Sequence, residues 1–334
     1  MTLDLPLIWA LLIALAVLLY VVLDGFDLGI GILFPFFKAK RDRDVMMNSV
    51  APVWDGNETW LVLGGGGLFA VFPLAYSLLL TAFYAPVIGM LLALIFRGVA
   101  FEFRFRDARH RPLWDVSFAF GSTLATLCQG IMLGAFVQGI AFKGRAYAGG
   151  WFDWLTPFSV FTGIALLLGY ALLGAGWLIL KTDGDLQERV YRRAPWLAVA
   201  VLAAIAVVSL WTPLLNDAIA ARWFTLPNLL YLSPVPLLVG AAALALFWAL
   251  HRRRTALPFL MALALFALSY LGLGISLFPN IVPPNVTIWQ AAAPPESQGF
   301  LLVGAAVLLP IVLGYTGYAY WVFRGKVRPD DGYH

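Results

Sequence analysis

Trp54-Asp55-Gly56-Asn57-Glu58-Thr59-Trp60 sets two carboxylates three residues apart between two tryptophans. It stands where a polar connection gives way to an apolar run. Acids at the edge of hydrocarbon are costly and mark functional positions by default. The neighbouring apolar segments hold matching features: a second acid pair, Asp24 and Asp27, and a lone arginine, Arg97.

The surroundings of that stretch decide the class. Of 334 residues, 62% are hydrophobic and only 12% are charged. Such a chain is a polytopic membrane protein. The net charge of +4 does not point to nucleic acid, because the basic residues fall in short clusters between apolar runs, as topology determinants do. The single cysteine, Cys128, excludes an internal disulfide and reads as a small apolar helix residue. Met1–Pro6 lacks the basic region of a signal peptide, so the first apolar run reads as a retained span.

Nine spans are predicted, at about 6–37, 54–72, 74–105, 113–141, 155–181, 195–215, 233–250, 256–280 and 298–323. They are helices, since an isolated segment in lipid must satisfy its own backbone. The fold class is therefore all-α. Pro6, Pro157, Pro195 and Pro258 are placed near helix starts, where a missing N–H costs little, and Pro310 inside the last span.

Lys and Arg set the orientation. One set of alternate connections carries Lys38, Lys40, Arg41 and Arg43; Arg104, Arg106, Arg109 and Arg111; Lys181, Arg189, Arg192 and Arg193; Arg252, Arg253 and Arg254; and Arg324, Lys326 and Arg328. The other set has only Lys143, Arg145 and Arg222. The basic set is cytoplasmic by the positive-inside rule. That puts the N-terminus outside and the C-terminus inside, which requires an odd number of spans.

The polar residues then acquire depths. Asp24 lies roughly 27 Å below Pro6 and roughly 21 Å above Lys38 at the helical rise. Asp27 shares its face, and Gly25, Gly29 and Gly31 leave that neighbourhood thin enough for a second helix to approach. The plain alternative is an acid pair that hydrogen-bonds a neighbouring helix. Asp55 and Glu58 have a stronger alternative, as N-cap and third helical residue in a relative of the capping box. Trp54 and Trp60 also read as interface anchors. Arg97 lies roughly 10 Å further into the membrane than Arg104 and needs an acidic partner or a route to the surface by snorkelling. Glu102 is nearer the surface, where pairing with Arg106 one turn on is its plain reading. Glu102, Asp55, Glu58, Arg97, Asp27 and Asp24 thus stand at successive depths, as a proton path would require.

What the spans omit also narrows the chemistry. His110, His251 and His334 all fall in connections or the tail, whereas a haem inside the bilayer takes a histidine on iron. Met90, Met132 and Met261 lack such a partner, and no cysteine or histidine cluster suits zinc or iron–sulfur. Gly64-Gly65-Gly66-Gly67 has no following Lys-Ser/Thr, so it reads as close packing or local unwinding rather than a nucleotide loop.

Asp24-Gly25-Phe26-Asp27-Leu28-Gly29-Ile30-Gly31, the run from Asn48 through Trp54-Asp55-Gly56-Asn57 to Leu61, Phe96–Arg104, Phe278–Trp289 and Pro310–Thr316 together resemble subunit II of the cytochrome bd-type quinol oxidases, including the cyanide-insensitive branch. The resemblance runs nearly end to end. It implies two four-helix bundles (1–141 and 150–280), a ninth, peripheral helix (298–323) and a cytoplasmic tail (324–334). It implies a heterodimer with a subunit I, and leaves room for a small single-helix accessory subunit. Two b-type haems and a third haem, b or d, would sit in subunit I, with quinol as the substrate of the complex and no haem ligand on this chain. Asp24, Asp27, Trp54, Asp55, Arg97 and Glu102 would inherit a proton-path role. Glu58 departs from the frequent Gln of the family, and Glu102 stands where some relatives have Asp. The location implied is a bacterial cytoplasmic (inner) membrane. A secondary ion-coupled transporter and a purely structural membrane scaffold are the competing readings.

Overall fold

The computed structural model describes residues 3–327, and they form an almost wholly helical protein. The helices are α1 (Leu5–Leu33), α2 (Lys40–Asn48), α3 (Trp54–Val71), α4 (Pro73–Ala82), α5 (Tyr84–Arg106), α6 (Arg111–Gln138), α7 (Pro157–Lys181), α8 (Gly184–Leu215), α9 (Asp217–Phe224), α10 (Asn228–Leu232), α11 (Pro234–His251), α12 (Leu257–Leu277), α13 (Ile288–Ala291) and α14 (Pro295–Val322). Among the described residues, β structure is confined to two antiparallel two-stranded hairpins in connections, Phe142–Lys143 with Ala146–Tyr147 and Asn280–Val282 with Val286–Thr287.

Among the described residues, eight helical segments are long and apolar enough to cross a membrane: those containing α1, α5, α6, α7, α8, α11, α12 and α14. α3 also runs for 18 residues, but its polar first turns and five glycines dilute its hydropathy. Its glycine run stays helical rather than unwinding.

Two predicted spans are corrected. The stretch 74–105 is not one helix: it divides at Phe83 into α4 and α5. The ring of Pro86 would strike the carbonyl four residues before it, and α4 ends at that residue, Ala82. The sixth span does not begin at Pro195, because α8 starts at Gly184 and holds Pro195 and Pro213 inside it. Leu186, Val190, Tyr191 and Ala194 give the extension a buried face, and that packing carries the helix past the proline.

α1 is the hub. It packs against α3, α6 and α7, while α5 packs on α6, α7 on α8 and α12, and α11 on α12. The α1–α7 contact is a backbone contact. A Cβ on Gly29 would lie 1.9 Å from the Tyr170 carbonyl oxygen, and one on Gly174 would lie 2.6 Å from Gly29. Small residues on both helices are what permit this approach.

Hydrogen bonds and ion pairs gather the basic connections at one end. Arg189 bonds Asp42 at 2.6 Å, and Arg253 bonds Glu188 at 2.9 Å. Lys181 donates to the carbonyls of Phe323 and Gly325, and Lys326 to those of Ile179 and Thr182. Burial pulls the Lys326 ammonium below the usual lysine range, with Asp183 acting the other way. At the opposite end, Trp9 donates to the Gln298 carbonyl and Trp289 to Asp4. α14 is pinned at both ends, and Gln298 is its sole buried residue among those described. Residues 328–334, which hold Arg328, His334 and most of the predicted tail, lie outside the described residues.

Candidate functional site

The polar centre forms where α1, α3 and α5 meet. Arg97 belongs to the buried face of α5 with Ala93, Ala100, Phe101 and Arg104. Its Nη1 donates to Asp24 Oδ1 at 2.6 Å and its Nη2 to Glu58 Oε2 at 2.8 Å. Arg97 and Asp24 are fully buried, whereas the Glu58 side chain is 27% exposed. A guanidinium is suited to this bridge, because its planar fork serves two carboxylates at once. The required partner of Arg97 is thus found, and snorkelling is excluded.

Asp27 is also fully buried, one turn along α1. Asn57 Nδ2 donates to Asp27 Oδ2 at 2.7 Å and, more weakly, to the Leu23 carbonyl at 3.4 Å. Tyr320 on α14 donates its hydroxyl to Asn57 Oδ1 at 2.9 Å. A further chain lies one turn before Asp24. Gln129 on α6 donates to the Tyr20 hydroxyl at 2.6 Å, and Tyr170 on α7 donates to Gln129 Oε1 at 3.1 Å.

Two carboxylates therefore grip one guanidinium, and a third lies one helical turn from Asp24. Asp24 and Glu58 are held against the cation, and Asp27 is held by an amide. Burying uncompensated charge is expensive, so Asp27 is the member chemically suited to gain and lose a proton. Asp24 is suited to serve as a fixed counter-charge.

Trp54 closes the site on one side. Its ring stacks on Phe101 at 4.7 Å and 7°, and the Arg97 guanidinium lies 5.8 Å from its centroid. Beyond Trp54 a half-open cleft of about 580 Å³ runs between α3, α5 and α14, with Asp55, Asn57, Glu102 and Tyr320 in its lining. Asp55 is exposed at its mouth. Glu102 takes its plain partner, Arg106, at 3.6 Å, and both side chains are largely exposed. The site thus joins Asp24, Asp27, Glu58, Arg97 and Trp54, while Asp55 and Glu102 stand apart on the approach.

Two expectations fail here. The capping box does not form: Val53 is the N-cap, so Asp55 falls in the first turn and Glu58 beyond the capping position. The chain enters α3 through a tight turn, with Trp54 N and Asn57 N bonded to Val50 and Val53 carbonyls, and this puts the N-cap two residues before Asp55. Trp60 is no interface anchor, for it is 2% exposed and packs with Ala16 and Tyr20. Sequence reasoning also gave no role to Asn57, Tyr20, Gln129, Tyr170 or Tyr320. Gln129 is an amide inside an apolar span, and Tyr20 precedes Asp24 by four residues; both are readable signals. Tyr320 has none, being 263 residues from its partner.

A second buried arginine was read only as a topology charge. Arg104 is fully buried, 2.5 Å from Asp115 and 2.7 Å from Asp44. Arg43 completes the cluster at 2.7 Å from Asp115. This network ties α2 to α5 and α6 at the basic end. Beside it, His110 and Trp114 hydrogen-bond Asp107 and hold its carboxyl below the usual range.

A family model described as cytochrome bd terminal oxidase subunit II matches residues 5–323. The chain is 29% identical to the cytochrome bd-I ubiquinol oxidase subunit 2 of Escherichia coli (strain K12), over 97% of this chain and 95% of that protein. It is 29% identical to the cytochrome bd ubiquinol oxidase subunit 2 of Bacillus subtilis (strain 168), with 97% of each covered. Its fold matches a chain in the structure of bd oxidase from Geobacillus thermodenitrificans with a TM-score of 0.79 at 16% identity, covering 96% of this chain and 99% of that one.

Proposed function

Because the chain belongs to the cytochrome bd terminal oxidase subunit II family, we propose that it is the haem-free subunit that carries protons from the basic end towards the oxygen-reducing site of its complex. Water and protons enter by the cleft past Asp55 and Glu102. Behind Trp54, Arg97 holds Glu58 and Asp24, and Asp27, reached through Asn57, exchanges the proton. The single observation that carries this reading is the buried Asp24–Arg97–Glu58 bridge with Asp27 nearby, the latter joined through Asn57 to a cleft that Asp55 and Glu102 also line.

The same reading covers the assembly. The chain pairs with a subunit I that binds quinol and holds two b haems and a third haem, b or d. Quinol is oxidised there and oxygen reduced to water. The protons consumed come from the cytoplasm, so charge is separated without a dedicated pump. The eight apolar spans and α3 make nine crossings, as α1, α3, α5 and α6 in one bundle, α7, α8, α11 and α12 in another, and α14 at the periphery. The bacterial inner membrane holds it with the N-terminus outside and the C-terminus in the cytoplasm.

The test is oxygen consumption by the purified complex carrying Asp24→Asn or Asp55→Asn, with haem content measured in parallel. Slowed turnover at full haem content supports proton delivery. Normal turnover in both rejects the path and leaves a structural role. A chain that reconstitutes alone, colourless and moving an ion, would favour the transporter reading.

A further inference from the structure

Asn57 holds its amide in one of two possible orientations, and the structure shows what selects it. The amide oxygen accepts from the Tyr320 hydroxyl at 2.9 Å, and the amide nitrogen donates to Asp27 at 2.7 Å and to the Leu23 carbonyl at 3.4 Å. A flipped amide would turn its oxygen towards a carboxylate and a carbonyl, neither of which has a proton to give while Asp27 is ionised. It would also take away the amide oxygen to which the Tyr320 hydroxyl donates, leaving that O–H without its acceptor.

We propose that Tyr320 is a positioning residue for proton passage, whose hydroxyl locks Asn57 in the orientation that donates to Asp27. The inference rests on the proton-delivery reading above and adds to it the last transmembrane segment, α14. Protonating Asp27 removes the reason for the present orientation, because the acid then has a proton to donate to the amide oxygen. Asn57 is thus poised between two hydrogen-bond arrangements, and Tyr320 and Leu23 hold the one that suits the ionised acid.

The surroundings make Tyr320 a fixed reference. Its ring packs edge-on against Phe26 at 6.4 Å and Trp177 at 6.1 Å. The Lys181 and Lys326 bonds clamp the backbone just beyond it. The titratable and charged groups that act on Asp27 are Asp24 on α1, Glu58 on α3, Arg97 on α5 and Tyr320 on α14. Tyr320 and Asn57 both line the cleft, so the hydrogen-bonded pair that reaches Asp27 is part of its wall.

Tyr320→Phe keeps the ring contacts and removes the lock. In the purified oxidase it should slow oxygen consumption about fivefold, the weight of one buried hydrogen bond. The pH profile of turnover should move and the KM for quinol stay unchanged. Asn57→Gln, which keeps an amide but displaces it by one methylene, should do the same. Asp27→Asn is measured alongside. If Asp27→Asn leaves turnover normal, the proton-delivery reading itself fails. If it slows turnover while Tyr320→Phe leaves the rate and the pH profile unmoved, this inference alone is overturned. Loss of assembly in both Tyr320→Phe and Asn57→Gln would also overturn it, making the arm a structural pin.

Discussion

Arg97 Nη1 lies 2.6 Å from Asp24 Oδ1, and neither side chain has any exposed surface. The second arm of the same guanidinium reaches Glu58, which is partly exposed. One cation thus joins a sealed acid to an accessible one, across three helices.

Breaking that bridge from the arginine side should be severe. Arg97→Ala strands Asp24 in the bundle, a loss of about 3–5 kcal/mol for a buried pair with one partner removed. Arg97→Lys should recover only part of it, because a point charge does not reproduce the two-armed fork. Glu58→Gln keeps a hydrogen-bond acceptor beside Arg97 and should assemble normally. Thermal unfolding and haem content of the purified complexes check the order Glu58→Gln, Arg97→Lys, Arg97→Ala.

Asp55 should separate rate from stability more cleanly than a capping residue would. It makes no cap, so Asp55→Ala and Asp55→Asn should unfold within about 1 kcal/mol of the parent, the weight of a first-turn carboxylate. Both should slow oxygen consumption. A marked stability gap between the two variants would restore the capping reading.

At the basic end, Arg104 and Glu102 should behave as opposites although they are two residues apart. Arg104→Ala leaves Asp44 and Asp115 without their buried partner and should cost about 3–5 kcal/mol. Glu102→Gln breaks only an exposed pair and should stay within about 0.5 kcal/mol. Melting curves of the two complexes decide it.

The α1–α7 contact predicts a sharp contrast between glycines. Gly29→Ala drives a methyl into a carbonyl 1.9 Å away. It should exceed the roughly 1–3 kcal/mol of ordinary overpacking, since backbone cannot yield as a side chain does. Gly240→Ala on α11 meets nothing within 4 Å and should be neutral or gain up to about 1 kcal/mol of helix propensity. The yield of assembled, haem-loaded complex reads both.

Cys128 is buried, with its Sγ 3.4 Å from where a Cβ on Gly89 would stand. Cys128→Ala should lose roughly 1 kcal/mol of packing and leave oxygen consumption unchanged. A large fall in turnover at full haem content would show that the thiol does chemistry.

The apolar runs made most helices legible, because crossing hydrocarbon imposes a length and composition that little else does. The pairing of Arg97 with an acid was legible too, from depth arithmetic and the cost of a lone buried charge. The break at Phe83 was hidden, since Pro86 sits inside an unbroken apolar run. The N-cap of α3 was misread by two residues, because the turn that launches it is set by backbone bonds to the Val50 and Val53 carbonyls rather than by a capping side chain. Tyr320 was invisible as a member of the site, and Gln129 was legible as a polar side chain in an apolar span while its partners were not. Their partners lie far along the chain, and only tertiary packing brings them together.

By the positive-inside rule, Arg43 and Arg104 would serve at two separate times. A chain entering a membrane shows these arginines to the insertion machinery while Asp115 is still to be placed beside them, and at that stage acidic residues count for little in choosing a side. Once the helices close, Asp44 and Asp115 neutralise the same two cations, and the finished surface is less basic than the sequence. Moving either arginine to a neighbouring exposed position would keep the topological signal and remove the internal lock. If the positive-inside rule sets the orientation of this chain, the direction of insertion and the strength of the folded end share the same residues, and each can be altered without the other.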